Sequence, residues 1–206
     1  MSNILLMGNG PSVLKDKKGT LIDSDKFDIV CRINDAHRDD KGELNTQYKE
    51  YVGTRCDYWL VSDKYIPITS NRSSLYKEIF VNVPNFKRKH EVIRFAEQNC
   101  QNYQNINFIP TEYESHINQS IVNFEPNWPS TGIIGIHFFL NHFDTVYLHG
   151  FDSFNPKYDI IDYYKPKRPN HFDKDSKNYV NTPDHNPSKE KQYIEYVTNN
   201  HNIKFL

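Results

Sequence analysis

The chain is short of cysteine, of uncompensated charge and of long apolar runs. Its three cysteines, Cys31, Cys56 and Cys100, are odd in number, widely spaced and form no CxxC pair. That pattern excludes a disulfide framework and a zinc ribbon, and it fits a reducing cytoplasmic compartment. Lys plus Arg is 25 and Asp plus Glu is 26, for a net charge of -1. Without surplus cations to neutralise phosphates the chain is not expected to bind nucleic acid. Its longest apolar stretch, Ile133 to Leu140, is broken by Gly135 and His137, and mean hydropathy is -0.77. No segment is therefore expected to span a bilayer, which leaves only peripheral association with a membrane face. Met1-Ser2-Asn3 leads directly into an apolar run without a basic n-region or cleavage site, so no signal peptide is expected.

What is present is a chain of 206 residues, 37% hydrophobic, enough for one core. No internal repeat is visible. Apolar runs at Asn3–Met7, Asp28–Ile33, Tyr58–Val61, Ile79–Val83, Asn105–Ile109, Thr145–Leu148 and Ile203–Leu206 read as strands. Between them, 87–100 has helical spacing. Pro129-Ser130-Thr131 signals a helix start before Ile133, and Asn186-Pro187 opens a helix through Val197. This alternation predicts an α/β sandwich with a mostly parallel sheet flanked by helices, in one domain over 1–206. Residues 152–184 break the pattern. They are polar, carry Tyr158, Tyr163, Tyr164 and Tyr179, and hold the basic cluster Lys165, Lys167 and Arg168. A long connection after a strand's carboxyl end reads either as a solvated loop or as a lid over an anionic ligand.

Four clusters carry chemistry. Gly8-Asn9-Gly10-Pro11-Ser12 follows the first strand, and its glycines let backbone amides approach a phosphate or simply turn the chain. It is neither a dinucleotide fingerprint nor a P-loop. Asn34 ends the second strand, where it can read a ligand edge or close an Asx turn. Ser130, Thr131 and Gly132 cap a helix whose free amides would also hold an anion, with Gly132 permitting close approach. His171-Phe172-Asp173 and His185 with Glu190 offer groups that titrate near neutrality. Glu190 falls in a first helical turn, where it complements the dipole or orients the imidazole, and contact requires His185 to lie outside the helix. The acidic triplets Asp23-Ser24-Asp25 and Asp173-Lys174-Asp175 are the weak metal signals, and no metal site is expected.

Taken in order, these motifs resemble those of the sialyltransferases. Val30-Cys31-Arg32-Ile33-Asn34-Asp35-Ala36, followed by Tyr51-Val52-Gly53-Thr54-Arg55, is similar to the family's long motif. Pro129-Ser130-Thr131-Gly132-Ile133, followed by Asp144-Thr145-Val146-Tyr147-Leu148-His149-Gly150-Phe151, is similar to the short motif and is the closest match. His171-Phe172-Asp173 resembles the third motif, with Phe172 where Tyr is usual. His185 followed by Glu190 matches the very short motif, and Gly8 to Ser12 is similar to the opening loop of bacterial members. Little of 62–127 aligns. Animal members carry a membrane anchor and a disulfide between the long and short motifs. Here the short-motif cysteine position is Phe143, so Cys31 or Cys56 has no such partner, which fits a compact bacterial or viral-type relative.

The resemblance implies a single Rossmann-like domain, a variant of the GT-A fold, with 152–184 as the lid. It implies transfer of sialic acid from CMP-sialic acid to a glycan hydroxyl, with galactose-terminated acceptors, inversion, no metal and no further cofactor. His185 would be the general base. His171, Tyr163 and Tyr164 would stabilise the departing phosphate. Asn9, Gly10, Ser12, Asn34, Ser130, Thr131, Gly132, Gly150, Phe151 and Asp152 would hold the donor, and Glu190 would support the base. Three other readings stand beside this one. They are a metal-dependent nucleotide-sugar transferase using an acidic triplet, a pterin diphosphokinase-like pyrophosphoryl-transfer enzyme, and a non-catalytic nucleotide- or glycan-binding module.

Overall fold

The structure is a computed structural model that describes residues 1–34, 46–65, 72–84, 86–100, 102–152 and 185–206. His171, Tyr163, Tyr164, the cluster Lys165–Arg168, Asp173, Asp175 and the rest of the expected lid beyond Asp152 lie outside the described residues.

Seven strands form one sheet: β1 (Asn3–Met7), β2 (Ile29–Ile33), β3 (Tyr58–Ser62), β4 (Glu78–Asn82), β5 (Ile106–Phe108), β6 (Thr145–His149) and β7 (Ile203–Phe205). Their order is β5-β4-β3-β2-β1-β6-β7, and every pair is parallel. The α-helices are α1 (Gly19–Ile22), α2 (Lys49–Val52), α3 (Phe86–Asn99), α4 (Glu112–Ser120), α5 (Thr131–Leu140) and α6 (Pro187–Asn200).

The strands alternate between two buried faces, as covered parallel sheets require. Ile4 and Leu6 of β1 join Cys31, Leu60, Val146 and Leu148 beneath α5 and α6. Leu5 and Met7 point the other way, onto Val13, Ile22, Phe27 and Val52. Further along that side Trp59, Val61, Ile79 and Val81 pack on Val92 and Ala96 of α3. In α5 six consecutive residues, Gly132 to His137, are buried, and a Cβ at Gly135 would collide with Leu60, so the helix lies directly on the sheet.

Patterning predicts no element between Ile109 and Pro129, yet α4 sits there. It buries only Ile117, so it carries almost no apolar period. The short α1 and α2 are invisible to periodicity for the same reason.

β1, an inner strand between β2 and β6, is the place where the chain changes direction. From β1 it winds outward through β2 to β5, then returns to β6 on the opposite side of β1. The crevice beyond the carboxyl ends of β1 and β6 is therefore the topological switch point, where open α/β sheets bind ligands.

Candidate functional site at the switch point

Two loops far apart in sequence are zipped together at this crevice. The amide of Gly8 donates to the His149 carbonyl (2.8 Å) and that of Gly10 to the Gly150 carbonyl (2.9 Å). The Ser12 amide then donates to Asp152 Oδ2 (2.8 Å). The glycines are required by this crossing. A Cβ on Gly8 or Gly10 would run into the Gly150 carbonyl, and on Gly10 also into the Asp152 carboxylate. Gly150 has φ 76°, and a Cβ there would stand 2.6 Å from Val13 Cγ1. Asn9 sits between the two glycines with its Oδ1 buried and without a hydrogen bond among the described residues. A buried amide oxygen in that state is an acceptor available to a ligand.

The amino end of α5 faces the same crevice. Ser130 is its N-cap, with Oγ accepting from the Ile133 amide (3.4 Å). The amides of Thr131 and Gly132 belong to the first turn and have no partner within the helix. Gly132 is needed for a reason other than anion approach. A Cβ there would lie 3.0 Å from the Phe151 ring, so Phe151 rests on the helix start.

Asn34 closes β2 at φ 57°, the left-handed region that asparagine tolerates. It is held on every side by β3. Its amide donates to Leu60 O (2.8 Å), its carbonyl accepts from the Trp59 indole, and its Oδ1 accepts from the Ser62 amide (3.4 Å). Its partners across the sheet replace the local Asx turn. Arg32 of the same motif is 2% exposed and donates to Val52 O (2.5 Å) and Arg55 O (2.8 Å). It is a strut beneath the site.

His185 is half-buried and precedes α6, so it lies outside the helix as contact with Glu190 requires. Asn186 caps that helix by accepting from the Lys189 amide (3.1 Å), with Pro187 in the first turn. Because α6 leads into parallel β7, its amino end stands at the carboxyl edge of the sheet. There Glu190, 5% exposed, accepts hydrogen bonds from the hydroxyl and the amide of Ser130. Burial raises its pKa to about 7, against the opposing effect of the two Ser130 bonds. The Ser130 hydroxyl is accordingly committed to Glu190. Lys189 Nζ adds a bond to Glu125 O (2.8 Å), tying α6 to the segment before α5.

The structure thus assembles Asn9, Gly10, Ser12, Asn34, Ser130, Thr131, Gly132, Gly150, Phe151, Asp152, His185 and Glu190 along one sheet edge. Asp23, the first residue of an acidic triplet, is engaged elsewhere. Its carboxylate accepts from the amides of Thr54 (2.7 Å) and Arg55 (2.8 Å). No group of three His, Cys, Asp or Glu among the described residues is placed to hold a metal. Sequence reasoning missed His149, a buried polar residue that ends β6. Its one signal is a titratable residue at the end of an otherwise apolar run, just before Gly150.

No family model and no curated protein sequence matches the chain. Among solved structures it is similar to one described as the crystal structure of a mammalian sialyltransferase. The TM-score is 0.64 and the identity 15%, with 100% of this chain and 68% of the other covered. At that identity the likeness shows a shared fold. No helix among the described residues is long and apolar enough to cross a membrane.

Proposed function

We propose that the chain is an inverting glycosyltransferase that moves sialic acid from CMP-sialic acid to a hydroxyl of a galactose-terminated glycan. One observation carries the reading. Among the described residues, motifs far apart in the chain and each ambiguous alone, from Gly8 to Ser12, Ser130 to Gly132, Gly150 to Asp152 and Glu190, lie at one switch point in a fold like that of a sialyltransferase.

In this reading the donor's negative charge lies against the first-turn amides of α5, where the helix dipole favours anions. Asn9 and Asn34 orient the nucleotide and phosphate. His185 removes the proton of the acceptor hydroxyl as its oxygen attacks the anomeric carbon. The bond from that carbon to the phosphate oxygen breaks on the opposite face, and CMP leaves. The departing phosphate is stabilised by the α5 amides together with His171, Tyr163 and Tyr164, and no metal is needed. Glu190 acts on the base indirectly, by fixing the start of α6 against Ser130.

The test is incubation with CMP-sialic acid and a panel of galactose-terminated acceptors, with and without a chelator. Sialylated product in both arms supports the reading. Activity abolished by the chelator would replace it with a metal-dependent transferase. Absence of product with every acceptor, together with no binding of CMP, would sink it.

A further inference from the structure

The residue that sequence reasoning passed over is the one whose chemistry the fold specifies most tightly. His149 is 5% exposed. Its Nδ1 lies 3.2 Å from the main-chain oxygen of Leu206. Carbonyl and carboxylate oxygens alike only accept, so Nδ1 carries the proton in that bond. In the neutral ring Nε2 is then a bare acceptor. Burial keeps the ring neutral, with its pKa lowered to about 4, and the charges of Lys18 and Arg32 push the same way. The Leu206 bond and, more weakly, Asp16 pull in the opposite direction, and Asp16 is itself paired with Lys18 at 3.6 Å. Nε2 is buried and has no hydrogen-bond partner among the described residues.

His149 is one of the residues around a cavity of about 200 Å³. The cavity shares Ser12, Gly150, Phe151 and Asp152 with the switch-point site, so it is a side chamber of the same crevice. A buried acceptor without a partner costs free energy that a ligand donor would recover. A neutral imidazole acceptor cannot pair with a phosphate or a carboxylate, which offer only lone pairs at neutral pH. The group that fits it is an uncharged donor, a hydroxyl or an amine.

We propose that His149 is a specificity-determining residue that accepts a hydrogen bond from the nucleoside part of the donor. This rests on the proposed function, which places a cytidine nucleotide in the crevice. Two such donors set a cytidine nucleotide apart from its 2′-deoxy and uridine counterparts, the ribose 2′-hydroxyl and the exocyclic amine of the base, and the proposal is for one of these. A ligand that lacks the donor, or carries a carbonyl in its place, leaves Nε2 unpaired or facing another lone pair. Such sites reject the wrong ligand strongly.

Binding of CMP, 2′-deoxy-CMP and UMP to the full chain is measured by calorimetry for wild type, His149→Gln, His149→Phe and His149→Leu. Wild type is expected to prefer CMP over one analogue by about tenfold or more. Preference over 2′-deoxy-CMP assigns the partner to the 2′-hydroxyl, and preference over UMP assigns it to the amine. His149→Gln, which retains an acceptor, should keep the preference. The apolar variants should reduce it to within about twofold, read on whichever of the two melts cooperatively. Preferences that are the same in wild type and the apolar variants overturn the proposal, and so does a wild type that does not discriminate. Failure of wild type to bind any of the three nucleotides instead overturns the functional reading on which the proposal stands.

Discussion

Glu190 of α6 accepts hydrogen bonds from both the hydroxyl and the amide of Ser130, the N-cap of α5. The starts of two helices, 60 residues apart in sequence, are thereby latched at the edge of the crevice. Burial holds the Glu190 pKa at about 7, so the folded protein keeps a proton that the unfolded chain gives up near pH 4.5. The favourable contribution is complete below about pH 4.5 and is lost as pH rises through 7. Glu190→Gln, which cannot ionise, should therefore gain on wild type as pH rises from 4.5 to 7, by at most about 1.4 kcal/mol per pH unit. The gain should level off above that range. Urea denaturation of both proteins across this range checks the sign.

His137 titrates in the opposite sense. It lies in α5, with Nδ1 2.9 Å from the Tyr193 hydroxyl and Nε2 2.8 Å from His116 Nδ1. Burial lowers its pKa to about 4, and the nearby His116 and His201 add to that. The unfolded chain takes up a proton near pH 6.5 that the folded protein refuses. Stability is thus full above 6.5 and falls as pH drops toward 4. His137→Gln should flatten this acid limb in the same denaturation series, while costing about 1–2 kcal/mol at neutral pH for the altered pair with Tyr193.

Gly150→Ala should damage both the fold and the site. The new side chain would occupy a left-handed backbone at φ 76° and press on Val13. The backbone penalty alone is about 1–2 kcal/mol. A loss of about 2–3 kcal/mol in urea denaturation, with weakened CMP binding, is expected because the loop that Gly150 holds through Gly10 must shift.

His185→Ala should separate binding from chemistry. CMP should still raise the thermal midpoint, since the nucleotide is held by the switch-point loops. Sialyl transfer should fall by about 10²- to 10⁴-fold. Transfer that survives in this variant would remove His185 from the role of base. Asp23→Asn serves as a control for the metal-dependent reading. It should leave transfer intact, because that carboxylate is engaged with the 54–55 turn.

The strands and α5 could be read from the sequence because their information is local. β1, β2 and β6 are largely apolar runs buried on both faces, ended by Gly8, Asn34 and Gly150. Asn186-Pro187 announces α6 through its own cap chemistry. The short or polar helices α1, α2 and α4 were not legible, because they bury too few residues to leave a period. The candidate site was half legible in the same sense. The order Gly8, Asn34, Ser130, Gly150, His185 along the chain marks strand and helix ends. It does not say which ends meet.

The alternation of elements, the parallel α/β class and the polar groups at the element ends are written locally, since each follows from neighbours within a few residues. The roles of those groups come from how the elements meet. The tertiary structure placed β6 beside β1, and so turned two glycines from phosphate approach to backbone crossing. It gave the Ser130 hydroxyl to Glu190, buried Arg32 as a strut, and left the Nε2 of His149 without a donor. Those outcomes depend on contacts between residues tens to more than a hundred positions apart, which no local pattern encodes.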